Sequence, residues 1–115
     1  MGRLSTHILD TARGCPANGV GIRLFLLDKT RELRASAVSN ADGRTEAPLL
    51  EDGAMHTGTY ELEFDVGAYF AANGTNLDEP RFLDTVIIRF SINDAENYHV
   101  PLLVTPWSYS TYRGS

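Results

Sequence analysis

The sequence holds a single cysteine, Cys15, among its 115 residues. One thiol cannot close an internal disulfide, so the fold must rest on its core. The chain therefore suits a reducing compartment, and the cytoplasm is the expected location. Apolar runs extend for only a few residues, too short for a membrane-spanning helix. The opening MGRLSTHILD has one basic side chain and no apolar h-region, so no signal peptide is expected. Basic side chains number 10 against 15 acidic ones and do not cluster. This argues against nucleic acid as a partner, because a phosphate backbone is held by grouped lysines and arginines. There is no G-x-S-x-G elbow, no phosphate-cradling glycine loop and no C-x-x-C pair. The three histidines, His7, His56 and His99, show no short metal-ligand spacing, and no metal is expected.

What is present describes a globular domain. Apolar residues make up 43% of the chain, too many for a disordered segment. The length suits one domain, residues 1–115, around a single core. In Leu4 to Leu9 the apolar residues alternate with polar ones, which predicts a short strand with His7 and Ile8 on opposite faces. Residues 10–19 hold two glycines and a proline and read as a loop. Val20 to Asp28 is apolar on both faces, as a central strand would be, and pairs with Glu32 to Ser39 as a hairpin. Asn40-Ala41-Asp42-Gly43 is a turn signal that leaves Arg44 at the rim of the sheet.

Residues 45–56 read mostly as loop. Thr59 to Val66 alternates cleanly, with Tyr60, Leu62, Phe64 and Val66 inward and Glu61, Glu63 and Asp65 outward. Gly67 to Asn73 is the one predicted helix, stopped at Gly74. Leu83 to Ile92, His99 to Val104 and Trp107 to Tyr112 complete the strands. Pro101 cannot donate to a ladder, so its strand is expected at an edge or with its N–H side outward. Seven or eight short strands with one helix predict an all-β antiparallel sandwich.

The final stretch, YHVPLLVTPWSYSTYRGS, is apolar, aromatic and free of acidic side chains. Its pattern predicts a strand running to the last residue, which would bring Tyr112, Arg113 and Ser115 to one place. Taken singly, His7, His99 and Arg44 are ordinary strand or rim residues. An exposed loop is the expected place for His56. The acidic residues sit on outer faces or in loops and form no catalytic pair.

Four segments together resemble a known family. They are Leu4-Ser5-Thr6-His7-Ile8-Leu9-Asp10, Asp42-Gly43-Arg44, Tyr98-His99-Val100-Pro101-Leu102-Leu103, and the terminal Tyr112-Arg113-Gly114-Ser115. In this order they look like the signatures of the transthyretin-related 5-hydroxyisourate hydrolases of purine catabolism. One departure is that Arg81 to Asp84 lacks the proline expected before the strand near Thr85.

The resemblance implies a transthyretin-like sandwich of two four-stranded sheets with one short helix. It implies a homotetramer with sites at the dimer–dimer interface, and hydrolysis of a small purine-derived substrate without metal or cofactor. It assigns catalysis to His7, Arg44 and His99. It assigns substrate contacts to His7, Arg44, Tyr112, Arg113 and Ser115. A neutral histidine can take a proton from water, and an arginine can stabilise charge developing on a carbonyl. A carrier binding a ligand in the same channel without turnover, or a plain interaction module, is the alternative. Neither needs this polar set.

Overall fold

A computed structural model describes residues 2–114. The elements run β1 (Arg3–Asp10), β2 (Cys15–Pro16), β3 (Gly21–Leu27), β4 (Arg31–Val38), β5 (Leu50–Glu51), β6 (Gly58–Asp65), α1 (Val66–Ala72), β7 (Thr85–Ile92), β8 (Tyr98–Val104) and β9 (Tyr109–Thr111). A single 3-10 turn, Asp52–Ala54, follows β5. They form two packed sheets. One is antiparallel throughout, in the order β4-β3-β6-β7; the other follows β2-β1-β8-β9, with the two-residue β5 also on β1. Among the described residues no helix is long and apolar enough to cross a membrane.

Alternation builds the core. On β1, Leu4, Thr6 and Ile8 are buried while Ser5, His7 and Leu9 are only partly covered. On β6, Tyr60, Leu62 and Phe64 are buried, facing Ile22 and Leu24 of β3 and Val86 and Ile88 of β7 within one cluster. Burying each such side chain contributes about 1.5–3 kcal/mol, so Leu62→Ala at the centre would cost about 2–5 kcal/mol. The outward alternation of β6 also holds, but Glu61 is only 8% exposed. Arginines cover it, as Arg31 and Arg89 both bond its carboxylate.

The helix comes one residue earlier than the sequence pattern placed it. It ends where Gly74 adopts φ +86, a conformation a side chain would strain. Tyr69 on its buried face donates to Asp10 Oδ2 at 2.7 Å. Asp10 Oδ1 in turn accepts from the Ala12 and Arg13 amides. The helix therefore ties down the far end of β1, the strand that carries His7. Burial and the adjacent Asp10 carboxylate push the Tyr69 phenol up to about 12.

Two expectations change in the β1–β8 region. First, β1 and β8 run parallel, with Ser5 opposite His99 and His7 opposite Pro101. Second, β8 is not an edge strand, since β1 flanks one side and β9 the other. The missing N–H of Pro101 falls on the β9 side. The β8–β9 ladder stops at Leu102–Thr111 and resumes only as the bridge His99–Gly114. Proline cannot supply the donor for the pair in between. Instead the Thr111 hydroxyl donates to the Pro101 carbonyl at 2.7 Å. The last strand is therefore three residues long and does not run to the chain end. Ser115 lies outside the described residues.

Candidate functional site

The site forms where three separate segments meet on β1. The first is the Asn40–Arg44 turn. Asn40 Oδ1 accepts from the Asp42 amide at 3.0 Å and the Arg44 amide at 3.1 Å. The turn docks on β1 through the Ile8 amide, which donates to the Gly43 carbonyl at 2.8 Å. Gly43 meets two constraints here. Its φ is +75, and a Cβ at that position would collide with the Ile8 carbonyl oxygen. Only glycine lets the turn lie this close to the strand, and the following Arg44 is thereby placed beside the His7 segment.

The second segment is β1 itself. His7 Nε2 lies 2.9 Å from the Asp42 carbonyl oxygen. A carbonyl only accepts, so this nitrogen carries a hydrogen, and in the neutral ring Nδ1 holds the lone pair. The third segment is β8, where His99 Nδ1 lies 2.9 Å from Ser5 Oγ. His99 is half-buried, and burial holds its pKa below the ordinary 6.5. The nearby Arg44 and, after it, His7 push the same way. All three effects favour a neutral imidazole, the form that can accept a proton.

Arg3, Ser5, Arg44, Asn97, Tyr98 and His99 line an open cleft of about 420 Å³. The exposed Arg44 guanidinium has no carboxylate partner among the described residues. The cleft thus offers a neutral base and a cationic donor to a flat polar molecule. No cluster of metal-ligating side chains exists among the described residues.

The chain end approaches this cleft without forming a strand beside it. The Gly114 amide donates to the His99 carbonyl at 2.7 Å. A Cβ on Gly114 would lie 2.7 Å from His99 Cδ2, so the glycine packs flat against the imidazole. Arg113 stacks over Tyr98, its Cζ 4.1 Å from the ring centre. It lies with Tyr112, which is 61% exposed, on a smaller, mainly apolar cleft of about 220 Å³ lined also by Ile88, Phe90 and Val100; Tyr98 borders both clefts. Within one chain the structure brings Arg44 and His7 near His99 and leaves both Tyr112 and Arg113 on the apolar cleft. Ser115, expected as a substrate contact, lies outside the described residues.

The sequence profile of the HIUase/Transthyretin family matches residues 4–114. The chain belongs to this family. A 5-hydroxyisourate hydrolase of Ralstonia nicotianae is 55% identical over the full length of both chains. One from Deinococcus radiodurans is 54% identical over 97% of this chain and 95% of its own. Among solved structures, a Klebsiella pneumoniae 5-hydroxyisourate hydrolase superposes with a TM-score of 0.84 at 37% identity, covering all of both chains. An (S)-allantoin synthase superposes with a TM-score of 0.95 at 47% identity; 99% of this chain covers 44% of that one. Sea bream transthyretin in complex with thyroxine reaches 0.86 at 27% identity, over 97% of this chain and 94% of its own. Structures that share this sandwich thus include a hydrolase, a synthase and a transthyretin in complex with thyroxine, so fold alone does not choose between them.

Within this family member, three contacts escaped the sequence reading. Ser5 shares the outer face of β1 with His7, as any i, i+2 pair on a strand does, but its pairing with His99 depends on the β1–β8 register. Asn40 was read as part of the turn signal, but not its side-chain bonds to the following amides, which an Asn opening such a turn commonly makes. Gly114 carries no sequence signal for its contact with His99.

Proposed function

We propose that this chain catalyses hydrolysis of 5-hydroxyisourate to 2-oxo-4-hydroxy-4-carboxy-5-ureidoimidazoline, a step of urate breakdown in purine catabolism. The observation that carries this reading is the convergence of His7, Arg44 and His99 on β1 and its neighbours. Relatives matching the full length of the chain and bearing the hydrolase name support it. An apolar carrier cavity would not need these groups.

In this reading a neutral histidine removes a proton from water as the water oxygen attacks the ring carbonyl. Arg44 offers paired N–H donors to the oxygen that becomes negative, and Arg113 holds the far side of the heterocycle. When the carbonyl re-forms, the ring C–N bond breaks. The proton passes from the imidazolium to the leaving nitrogen, and a carboxylate is released. His7, whose Nε2–H is held by the Asp42 carbonyl, has a fixed orientation on the same strand as Ser5. Tyr112, which lies outside the polar cleft of its own chain, and Ser115 are assigned substrate contacts where copies of the chain meet.

The site also needs other copies of the chain. Trp107, Tyr109 and Tyr112 are 64%, 46% and 61% exposed. Large aromatics this open usually mark an interface. We assign them to a homotetramer with sites at the dimer–dimer interface, working in the cytoplasm on a free small molecule, as a single domain without cofactor. Light scattering should give four chains per particle at micromolar concentration. A fully active monomer would rule out an interface-built site.

The direct test is to add the purified protein to freshly generated 5-hydroxyisourate and follow the absorbance. Acceleration beyond spontaneous decay is the expected result. Saturable binding with no acceleration would make the protein a carrier of the transthyretin type.

A further inference from the structure

His99 is held from both sides by neighbours that the register supplies, the Ser5 hydroxyl and the Gly114 backbone. An imidazole ring has two atoms next to Cγ, namely Nδ1 and Cδ2. On the β1 side Nδ1 meets Ser5 Oγ at 2.9 Å, because parallel pairing sets Ser5 directly opposite His99. On the chain-end side, Cδ2 lies against Gly114, where even a Cβ would come within 2.7 Å. With both shoulders of the ring engaged, the tip bearing Nε2 and Cε1 is directed away from the backbone. His99 and Ser5 both line the open polar cleft.

From this geometry we infer that Ser5 is a positioning residue whose hydroxyl accepts the Nδ1 hydrogen of His99 and fixes the tautomer that leaves the Nε2 lone pair as the proton acceptor. The inference rests on the hydrolase reading and deepens it, since it selects His99 Nε2 as the atom that takes the proton of water. His7 is set differently. Its Nε2 already donates to the Asp42 carbonyl, so its tip cannot accept a proton there. A free imidazole prefers its hydrogen on Nε2, so without Ser5 the His99 lone pair would turn toward β1. Burial and the neighbouring Arg44 and His7 favour the neutral ring, and Ser5 Oγ is the partner that Nδ1 has on the β1 side.

Two measurements test this. Nitrogen-15 NMR of the imidazoles in the intact wild-type protein should show His99 protonated at Nδ1 at neutral pH, and Ser5→Ala should move that hydrogen to Nε2. In the hydrolysis assay, Ser5→Ala should lower kcat about 10- to 100-fold, the range seen when a functional imidazole loses the partner that orients it. KM should stay within about twofold, because the step lost is proton transfer rather than binding. Ser5→Thr keeps a hydroxyl on a strand-compatible side chain and should restore most of kcat.

A wild-type His99 carrying its proton on Nε2 would overturn the inference. So would a Ser5→Ala enzyme with unchanged kcat, or a Ser5→Thr enzyme as impaired as the alanine variant. If the wild-type protein fails to accelerate hydrolysis at all, the functional reading falls, while the NMR tautomer still decides the role of Ser5.

Discussion

On the outer face of the β4-β3-β6-β7 sheet, every arginine meets carboxylates. Arg23 bonds Glu63 at 2.9 Å and Asp65 at 2.6 Å, Arg31 bonds Glu61 and Glu63, and Arg89 bonds Glu61 at 2.8 Å. Arg31 also lies over the Phe25 ring, its Cζ 3.6 Å from the centre. In the cleft between β1 and β8, by contrast, Arg44 faces two histidines and has no carboxylate among the described residues. Both regions are built from strands with outward polar residues, yet their chemistry is opposite.

The paired face holds its acids ionised. Hydrogen bonds from Arg89 and Arg31 lower the Glu61 pKa, and those from Arg23 lower that of Asp65. For Glu63 burial works to raise the pKa, but the bonds from Arg23 and Arg31 outweigh it. Each of these charges has an opposite partner. The cleft keeps its cation unmatched and favours a neutral imidazole, the pair that the proposed hydrolysis uses. Like-charge crowding at one place and charge pairing at another separate a reactive surface from a supporting one.

The contrast can be broken most sharply at its base. His99→Asn keeps the ring volume roughly but cannot titrate, and should lower kcat by about 10²-fold or more with circular dichroism unchanged. Retained activity would remove His99 from the chemistry. Arg44→Lys keeps the charge but loses the planar pair of donors, and should lower kcat/KM by about 10²-fold. The same exchange at Arg89 on the paired face should leave the rate untouched, and a matching loss there would erase the distinction between the two surfaces. Gly114→Ala should push the His99 ring aside and lower kcat by about tenfold or more, because small misplacements of a catalytic group are costly.

Acidity sharpens the comparison further. His99 has a folded pKa below its ordinary 6.5. Its stabilising contribution, and its capacity to accept a proton, are complete above that value and are lost as pH falls through the lower folded pKa. The acid limb of kcat should therefore lie below pH 6.5 and disappear with His99→Asn. Glu61, Glu63 and Asp65 also have lowered pKa values, from 4.5, 4.5 and 3.8. Their contribution holds above those values and fades only as pH drops through the depressed ones.

The smallest expected effect follows from the paired face. Glu61→Gln should cost about 1 kcal/mol at neutral pH, or about 4 °C in Tm, without changing the rate. The gap between it and the wild type should narrow in acid. Thermal unfolding at pH 7 and pH 3 would check both statements.

Alternation made β1, β6 and β7 legible in the sequence, because burying one face of a strand needs apolar residues at every second position, and β3 was legible as a run apolar on both faces. The turn at Asn40–Gly43 and the stop at Gly74 were legible for a similar reason, since each needs residues that tolerate an unusual backbone. His7, Arg44 and His99 could be named as candidates from the resemblance of their motifs. Their meeting could not be read from local pattern. It depends on β1 and β8 pairing in parallel although 94 residues separate Ser5 from His99, and on Gly43 letting a turn from elsewhere in the chain touch Ile8. Local sequence sets what each strand buries, whereas register and close approach are settled only when distant strands pack. That is why Ser5, opposite His99, and Gly114, against its ring, came into view only in three dimensions.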